Sequence, residues 1–134
     1  MVNYPNIHPI HAAVWDKNGL VYLVSSTREA SELSFSDTTS SQSESTGIEA
    51  YSIRAFTKKL GIQQWDFIKM DIEGAEIRLL SSADSWIDLA HLIGMEIHAV
   101  CREQAGTLLD RATASWPFRE KRGETYWLAR KKPE

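Results

Sequence analysis

Four side chains that could move a proton or bind a cation come just after two apolar segments of the sequence. Asp71 and Glu73 follow the first segment, and Glu96 and His98 follow the second. If the two segments are neighbouring parallel strands, their ends lie roughly 5 Å apart and the four side chains face one crevice. Carboxylates this close disfavour joint ionisation, which a cation, a shared proton or an imidazolium would relieve.

Three kinds of site fit this pattern. In the first, a carboxylate or His98 acts as a general base and takes a proton from a substrate hydroxyl. In the second, all four side chains bind a divalent metal ion, although no Cys or His spacing supports this. In the third, the cluster is structural: Glu73 and Glu76 cap a helix, and Glu96 pairs with Lys69 or an arginine.

The elements that would position these groups are a strand, a turn and a helix, followed by a second strand. Residues 67–72 form a nearly continuous apolar run, which predicts a parallel strand, and Gly74 allows a sharp turn after it. The helix that follows carries an apolar stripe at helical spacing, formed by Ala75, Leu79, Leu80 and Ala83. A second apolar strand at residues 92–97 lies at the separation expected for a parallel crossover.

The remaining segments predict smaller elements. Alternating residues 10–14 and 20–24 indicate two strands of a hairpin around an Asn-Gly turn. Residues 25–47 are mostly Ser, Thr and charged residues, which predicts a mobile loop or, as a functional alternative, a lid over the site. A short strand at 48–53, a short helix at 54–60 and a second short helical piece at 84–90 are also expected. The chain then forms a helix through residues 105–112 and a carboxyl-terminal hairpin at 116–130.

Composition limits the class of protein. A chain of 134 residues with 43% apolar residues predicts a single globular domain. A net charge of −3 argues against general nucleic-acid binding, and no apolar run is long enough to span a membrane. The amino terminus carries no signal pattern and Cys101 is the only cysteine, so we expect a cytoplasmic location.

The segment at residues 69–76 reads Lys-Met-Asp-Ile-Glu-Gly-Ala-Glu and resembles the signature of the FkbM-type methyltransferases. Residues 6–19 are similar to the family segment in which Ala-Ala-Val leads to an Asp-x-x-Gly hairpin. Residues 95–98, Met-Glu-Ile-His, are similar to its strand ending in Glu-x-His. Residues 53–56 depart from the family pattern, because Ile-Arg-Ala-Phe replaces Leu-Asp-Asp-Leu and both acids are lost.

The resemblance implies a fold and a reaction. The fold would be part of a Rossmann-like methyltransferase sheet, with parallel central strands and a carboxyl-terminal antiparallel hairpin. The reaction would use S-adenosylmethionine as methyl donor and a hydroxyl of a sugar or small metabolite as acceptor. Asp71, Glu73, Glu96 and His98 would then be the catalytic residues that orient and deprotonate the acceptor.

One part of the family pattern is missing. The family begins with a strand and a glycine-rich turn that receives the donor, whereas the seven glycines here are isolated. The chain therefore resembles the carboxyl-terminal part of such an enzyme. Without the usual neighbouring strand, the strand at residue 67 would present an apolar edge, so we expect a homodimer or higher oligomer that buries it. The alternative functions are an inactive relic that serves as a binding or assembly module, and a fragment of a longer enzyme.

Overall fold

The computed structural model describes residues 4–25, 33–36, 46–72 and 74–131. Within these residues the chain has a mixed α/β fold with two four-stranded sheets and three α-helices. The α/β class is therefore confirmed in this broad sense. No described helix has both the length and the apolar character needed to cross a membrane.

The first sheet is built from the amino-terminal part of the chain. Its strands are β1 (Ala13–Val14), β2 (Gly19–Ser25), β3 (Leu33–Ser36) and β4 (Ile48–Tyr51). Their order is β1-β4-β2-β3; β4 runs parallel to β1 and antiparallel to β2, and β3 is antiparallel to β2. The sheet has a small core of Trp15, Val21 and Ala50.

The predicted hairpin between β1 and β2 is wrong, because β4 lies between them. The turn contacts the end of β4 as well: the side-chain oxygen of Asn18 accepts a hydrogen bond from the backbone N–H of Ser52 at 3.0 Å. The Asn-Gly sequence favours a tight turn between β1 and β2, but it does not determine which strand pairs with β2.

The segment rich in serine and threonine is only partly a loop. Residues 33–36 form β3, which pairs with β2, so this part of the predicted loop is a strand. Residues 26–32 and 37–45 lie outside the described residues, and the proposed lid falls largely on them.

The second sheet carries the candidate site. Its strands are β5 (Trp65–Met70), β6 (Ala90–Glu96), β7 (Phe118–Arg122) and β8 (Thr125–Ala129), in the order β5-β6-β8-β7. The parallel pairing of β5 with β6 and the antiparallel hairpin of β7 and β8 are both confirmed. β6 is a central strand with a partner on each side, whereas β5 has one partner within the described residues.

The three helices are α1 (Ile53–Lys59), α2 (Glu76–Ser81) and α3 (Arg102–Ala112). The Ser52 side chain caps α1 by accepting the N–H of Ala55 at 3.2 Å, and Gly61 follows it with a positive φ of 67°. The helical piece predicted at residues 84–90 consists of two short 3-10 helices, Ala83–Ser85 and Ile87–Leu89.

The main core lies against β6. Its largest fully buried side chains come from β6 and the residue after it, from β8, from α2 and α3, and from the junction of the two 3-10 helices: Leu79, Trp86, Ile93, Met95, Ile97, Leu109 and Leu128. Burying each such aliphatic side chain contributes roughly 1.5–3 kcal/mol relative to leaving it exposed. This packing holds the carboxyl end of β6, and therefore the candidate site, against a rigid background.

Arg130 ties the end of β8 to the start of β6. Its guanidinium donates hydrogen bonds to the carbonyls of Ala90 and Ile87, both at 2.9 Å, and lies 5.1 Å from the ring centre of Trp116. Its backbone N–H also donates to the carbonyl of His91 at 3.0 Å.

A different arginine joins the two halves of the chain: Arg78 of α2 pairs with Asp16 after β1 at 3.3 Å.

Candidate functional site

A histidine and a buried carboxylate form the inner part of the candidate site. Nδ1 of His98 lies 2.5 Å from Oε1 of Glu76, a short hydrogen bond between a half-buried ring and a carboxylate that has no solvent exposure. A buried carboxylate needs donors for its oxygens, because leaving them unsatisfied costs several kcal/mol. The contact also fixes the orientation of the imidazole ring.

The Cys101 thiol is the second group that contacts Glu76. Its sulfur lies 3.4 Å from Oε2 and also 3.4 Å from the carbonyl oxygen of His98, so its single hydrogen has two acceptors within reach. Burial raises the pKa of the Cys101 thiol above its ordinary value of 9.0, and the hydrogen bond to Glu76 raises it further. The thiol therefore stays protonated near neutral pH and acts as a donor, which does not suit it to be a nucleophile.

Asp71 forms the outer part of the site. Its Oδ1 lies 3.7 Å from Nε2 of His98, on the side of the ring opposite Glu76. The exposed fraction of the side chains rises from zero at Glu76 to 25% at His98 and 48% at Asp71. The three groups thus lead from the protein interior to the surface, and Nε2 of the ring faces the outer end.

The neighbouring strands explain this arrangement. Met70 pairs with Met95 at the end of the parallel ladder, so Asp71 leaves β5 beside the end of β6. Gly74 then adopts a φ of 92°, which an L side chain rarely adopts, and the chain turns into α2, whose first residue is Glu76. His98 follows β6 in an extended conformation. Its backbone carbonyl accepts a hydrogen bond from the N–H of Cys101 at 3.1 Å, and this turn brings the thiol back toward Glu76.

The structure brings only part of the predicted catalytic set together. Asp71 and His98 lie side by side, whereas Glu96 pairs with the Lys69 ammonium at 3.5 Å. Glu73 lies outside the described residues. Among the residues that are described, no group of three or more His, Cys, Asp or Glu side chains is placed to hold a metal ion.

Glu76 is the site residue that the sequence reasoning missed. It was assigned only to the first turn of a helix, with a dipole or capping role. The signal that could have found it is its spacing: residues 76, 79, 80 and 83 follow the i, i+3, i+4, i+7 pattern of one helix face. A carboxylate on the apolar face of a helix must be buried, and a buried carboxylate needs partners.

An apolar groove of about 310 Å³ lies along β5 and ends at Asp71. It is bounded by one outer strand of each sheet: β1, which contributes Val14, and β5. Its walls also include Ile53 and Phe56. This volume is at the lower end of the range of small-molecule sites. The groove therefore offers an apolar surface that leads to the acidic end of the site.

Comparison with known protein families identifies the domain. The family described as Methyltransferase FkbM domain matches residues 4–114, which include the first sheet, β5, β6, the three helices and all residues of the candidate site, whereas β7 and β8 follow the matched region. No curated protein and no solved structure matches the chain.

Proposed function

Because the chain belongs to the family of FkbM methyltransferases, we propose that it acts in the O-methylation of a sugar or small metabolite. S-Adenosylmethionine is the usual methyl donor of methyltransferases. The observation that carries the proposal is the contact of His98 with Asp71 at the surface and with Glu76 in the interior. His98 as a proton acceptor would lie at the carboxyl end of a parallel strand pair, where ligands bind in open α/β sheets.

In the proposed reaction, His98 acts as the general base. Its Nε2 takes the proton from the acceptor hydroxyl, so that an O–H bond is broken, an N–H bond is formed and the oxygen gains nucleophilic character. Asp71 lies within reach of the same nitrogen and would orient the hydroxyl or stabilise the resulting imidazolium. Glu96 would contribute only if its pairing with Lys69 opened on ligand binding.

The finer fold assignment is also part of this proposal. We take the sheet β5-β6-β8-β7 to be part of a Rossmann-like methyltransferase sheet. The parallel pair β5-β6 at one end of the sheet and the antiparallel hairpin β8-β7 at the other support this assignment.

The described residues do not complete a site for the donor. The four described glycines with positive φ, at positions 19, 61, 74 and 123, each stand alone, and no glycine-rich turn follows an apolar strand. The groove along β5 and the carboxylate of Asp71 provide part of a pocket but no row of backbone N–H groups. In this proposal the donor is held by groups outside the described residues, on a partner chain or elsewhere.

The first test is donor binding by calorimetry with S-adenosylmethionine and S-adenosylhomocysteine. Saturable binding of either supports the enzyme, and no binding of either favours the binding or assembly module. Transfer of a labelled methyl group to a panel of sugars is measured next. Removing the base in His98→Gln should lower the rate about 10²- to 10⁴-fold. The matched control is His91→Gln, which changes a histidine far from Asp71 and should leave the rate unchanged.

A second candidate function is a binding or assembly module, and the outer edge of β5 favours it. This edge has no strand partner within the described residues, and Phe67 on the strand is 44% exposed. An unpaired edge offers backbone groups to another strand, so a second copy of the chain could pair there. A light-scattering mass of two or more chains at micromolar concentration would support a homo-oligomer, and the mass of one chain would contradict it.

A further inference from the structure

We propose that Glu76 is a positioning residue that fixes the tautomer of His98, with the hydrogen on Nδ1 and the proton-accepting lone pair on Nε2. The inference rests on the proposed function, because it states which nitrogen of His98 serves as the base. Glu76 itself has no solvent exposure and would not touch the acceptor. Its effect would pass through the ring of His98.

The first argument is the chemistry of the two groups that share the 2.5 Å contact, Nδ1 of His98 and Oε1 of Glu76. Imidazole is ordinarily a stronger base than a carboxylate, so a single proton between them is expected on Nδ1, with the carboxylate as its acceptor. A carboxylate that accepts from one ring nitrogen determines which tautomer the neutral imidazole adopts.

The second argument is the direction of the two ring nitrogens. Nδ1 faces the buried carboxylate, and Nε2 faces the half-exposed Asp71 at 3.7 Å. With the hydrogen on Nδ1, the lone pair on Nε2 faces the accessible side of the site. With the hydrogen on Nε2, the ring would have no lone pair on that side and could not accept a proton there.

The alternative is a protonated Glu76 that donates to a bare Nδ1. Both arrangements give the same heavy-atom distance, so only the position of the hydrogen separates them. They predict opposite tautomers for the neutral ring. They also predict opposite effects when the carboxylate is replaced by an amide.

The test is nuclear magnetic resonance of the full chain labelled with ¹⁵N-histidine, with the His98 signals assigned by comparison with His98→Gln. Ring nitrogen shifts are followed across the titration without donor or acceptor. We expect a neutral ring with hydrogen on Nδ1 and a bare Nε2. A neutral ring with hydrogen on Nε2 would overturn the proposal. The wild-type spectrum decides this even if every variant at position 76 fails to fold.

The variant Glu76→Gln tests the causal step. The amide has nearly the same shape but no charge, and it can either donate or accept. We expect a mixture of the two tautomers, because the amide can donate to Nδ1 as well as accept from it. The matched control Glu103→Gln removes an exposed acid of α3 and should leave the His98 signals unchanged. An unaltered tautomer in folded Glu76→Gln would overturn the proposal.

Activity gives a separate readout. Glu76→Gln should lower methyl transfer by about 10- to 100-fold, as expected when a supporting carboxylate behind a functional histidine is removed. A Nδ1–H tautomer in a chain that transfers no methyl group would support the positioning role and overturn only the proposed reaction.

Discussion

β5 and β6 are neighbouring parallel strands of similar apolar composition, yet they occupy opposite environments. β6 has a strand on each side and buries Ile93 and Met95 completely. β5 has one strand partner in the described chain and leaves Phe67 almost half exposed. Position in the sheet, and not composition, decides how much each strand contributes to stability. The inner strand supports the site from within the core, whereas the outer strand has one edge without a strand partner in the described chain.

The largest effect that would sharpen this comparison is expected on the inner strand. Ile93→Ala should reduce the free energy of unfolding by about 2–5 kcal/mol, because it removes a fully buried side chain and leaves a cavity. The measurement is urea unfolding followed by circular dichroism. A loss below about 1 kcal/mol would mean that the core against β6 relaxes freely, contrary to close packing.

The next effect concerns Gly94 of β6, over which aromatic side chains of the two flanking strands pack. A methyl group on Gly94 would lie 2.8 Å from a ring carbon of Trp127 and 3.3 Å from one of Phe67. Gly94→Ala should therefore destabilise the protein by about 1–3 kcal/mol through overpacking. The control is Gly106→Ala in α3, where the added carbon has open space and should stabilise the helix by about 0.5–1 kcal/mol. Equal effects at the two glycines would contradict the packing argument.

A smaller effect is expected on the outer strand. Phe67 stacks on Trp127 with ring centres 6.0 Å apart, and its other face is open. Phe67→Ala should lower the free energy of unfolding by about 0.5–1.5 kcal/mol, the contribution typical of an aromatic pair. Unfolding is compared at low and high protein concentration. A loss as large as that of Ile93→Ala would break the comparison, since it would show that the edge is covered in solution.

The smallest effect is a pH dependence at Cys101. Its raised pKa means that the folded state binds the thiol proton more tightly than the unfolded state does. The resulting stability is present below about pH 9 and is lost as the pH rises through the raised pKa, by the linkage of proton binding to folding. Unfolding of wild type and Cys101→Ala between pH 7 and 11 checks this. A wild-type curve with the same alkaline slope as the variant would contradict it.

The sequence predicted the site-bearing half of the fold well, because the relevant signals are strong. The apolar runs of β5 and β6 are separated by a helical stripe, and this spacing permits a parallel pair. The position of Asp71 at the end of β5 and of His98 after β6 follows directly from that pairing. The terminal hairpin was predicted from its Gly-Glu turn, which Gly123 makes with a φ of 61°.

The sequence could not predict contacts that depend on the third dimension. Asn18 and Gly19 indicated a turn, but only the structure shows that β4 occupies the place of the predicted partner strand. Pairing between distant segments depends on packing that local spacing does not encode. The pairing of Glu96 with Lys69 is one of the alternatives that the sequence leaves open, and the structure shows this pair at 3.5 Å.

The clamp formed by Arg130 has a consequence for the order of folding. Its side chain holds the carbonyls of Ile87 and Ala90, where the central strand begins. Ribosomes deliver a chain from its amino terminus, so these carbonyls emerge long before the arginine that satisfies them. We therefore expect nascent chains stalled short of residue 130 to remain protease-sensitive, and this sheet to close only after residue 130 has emerged.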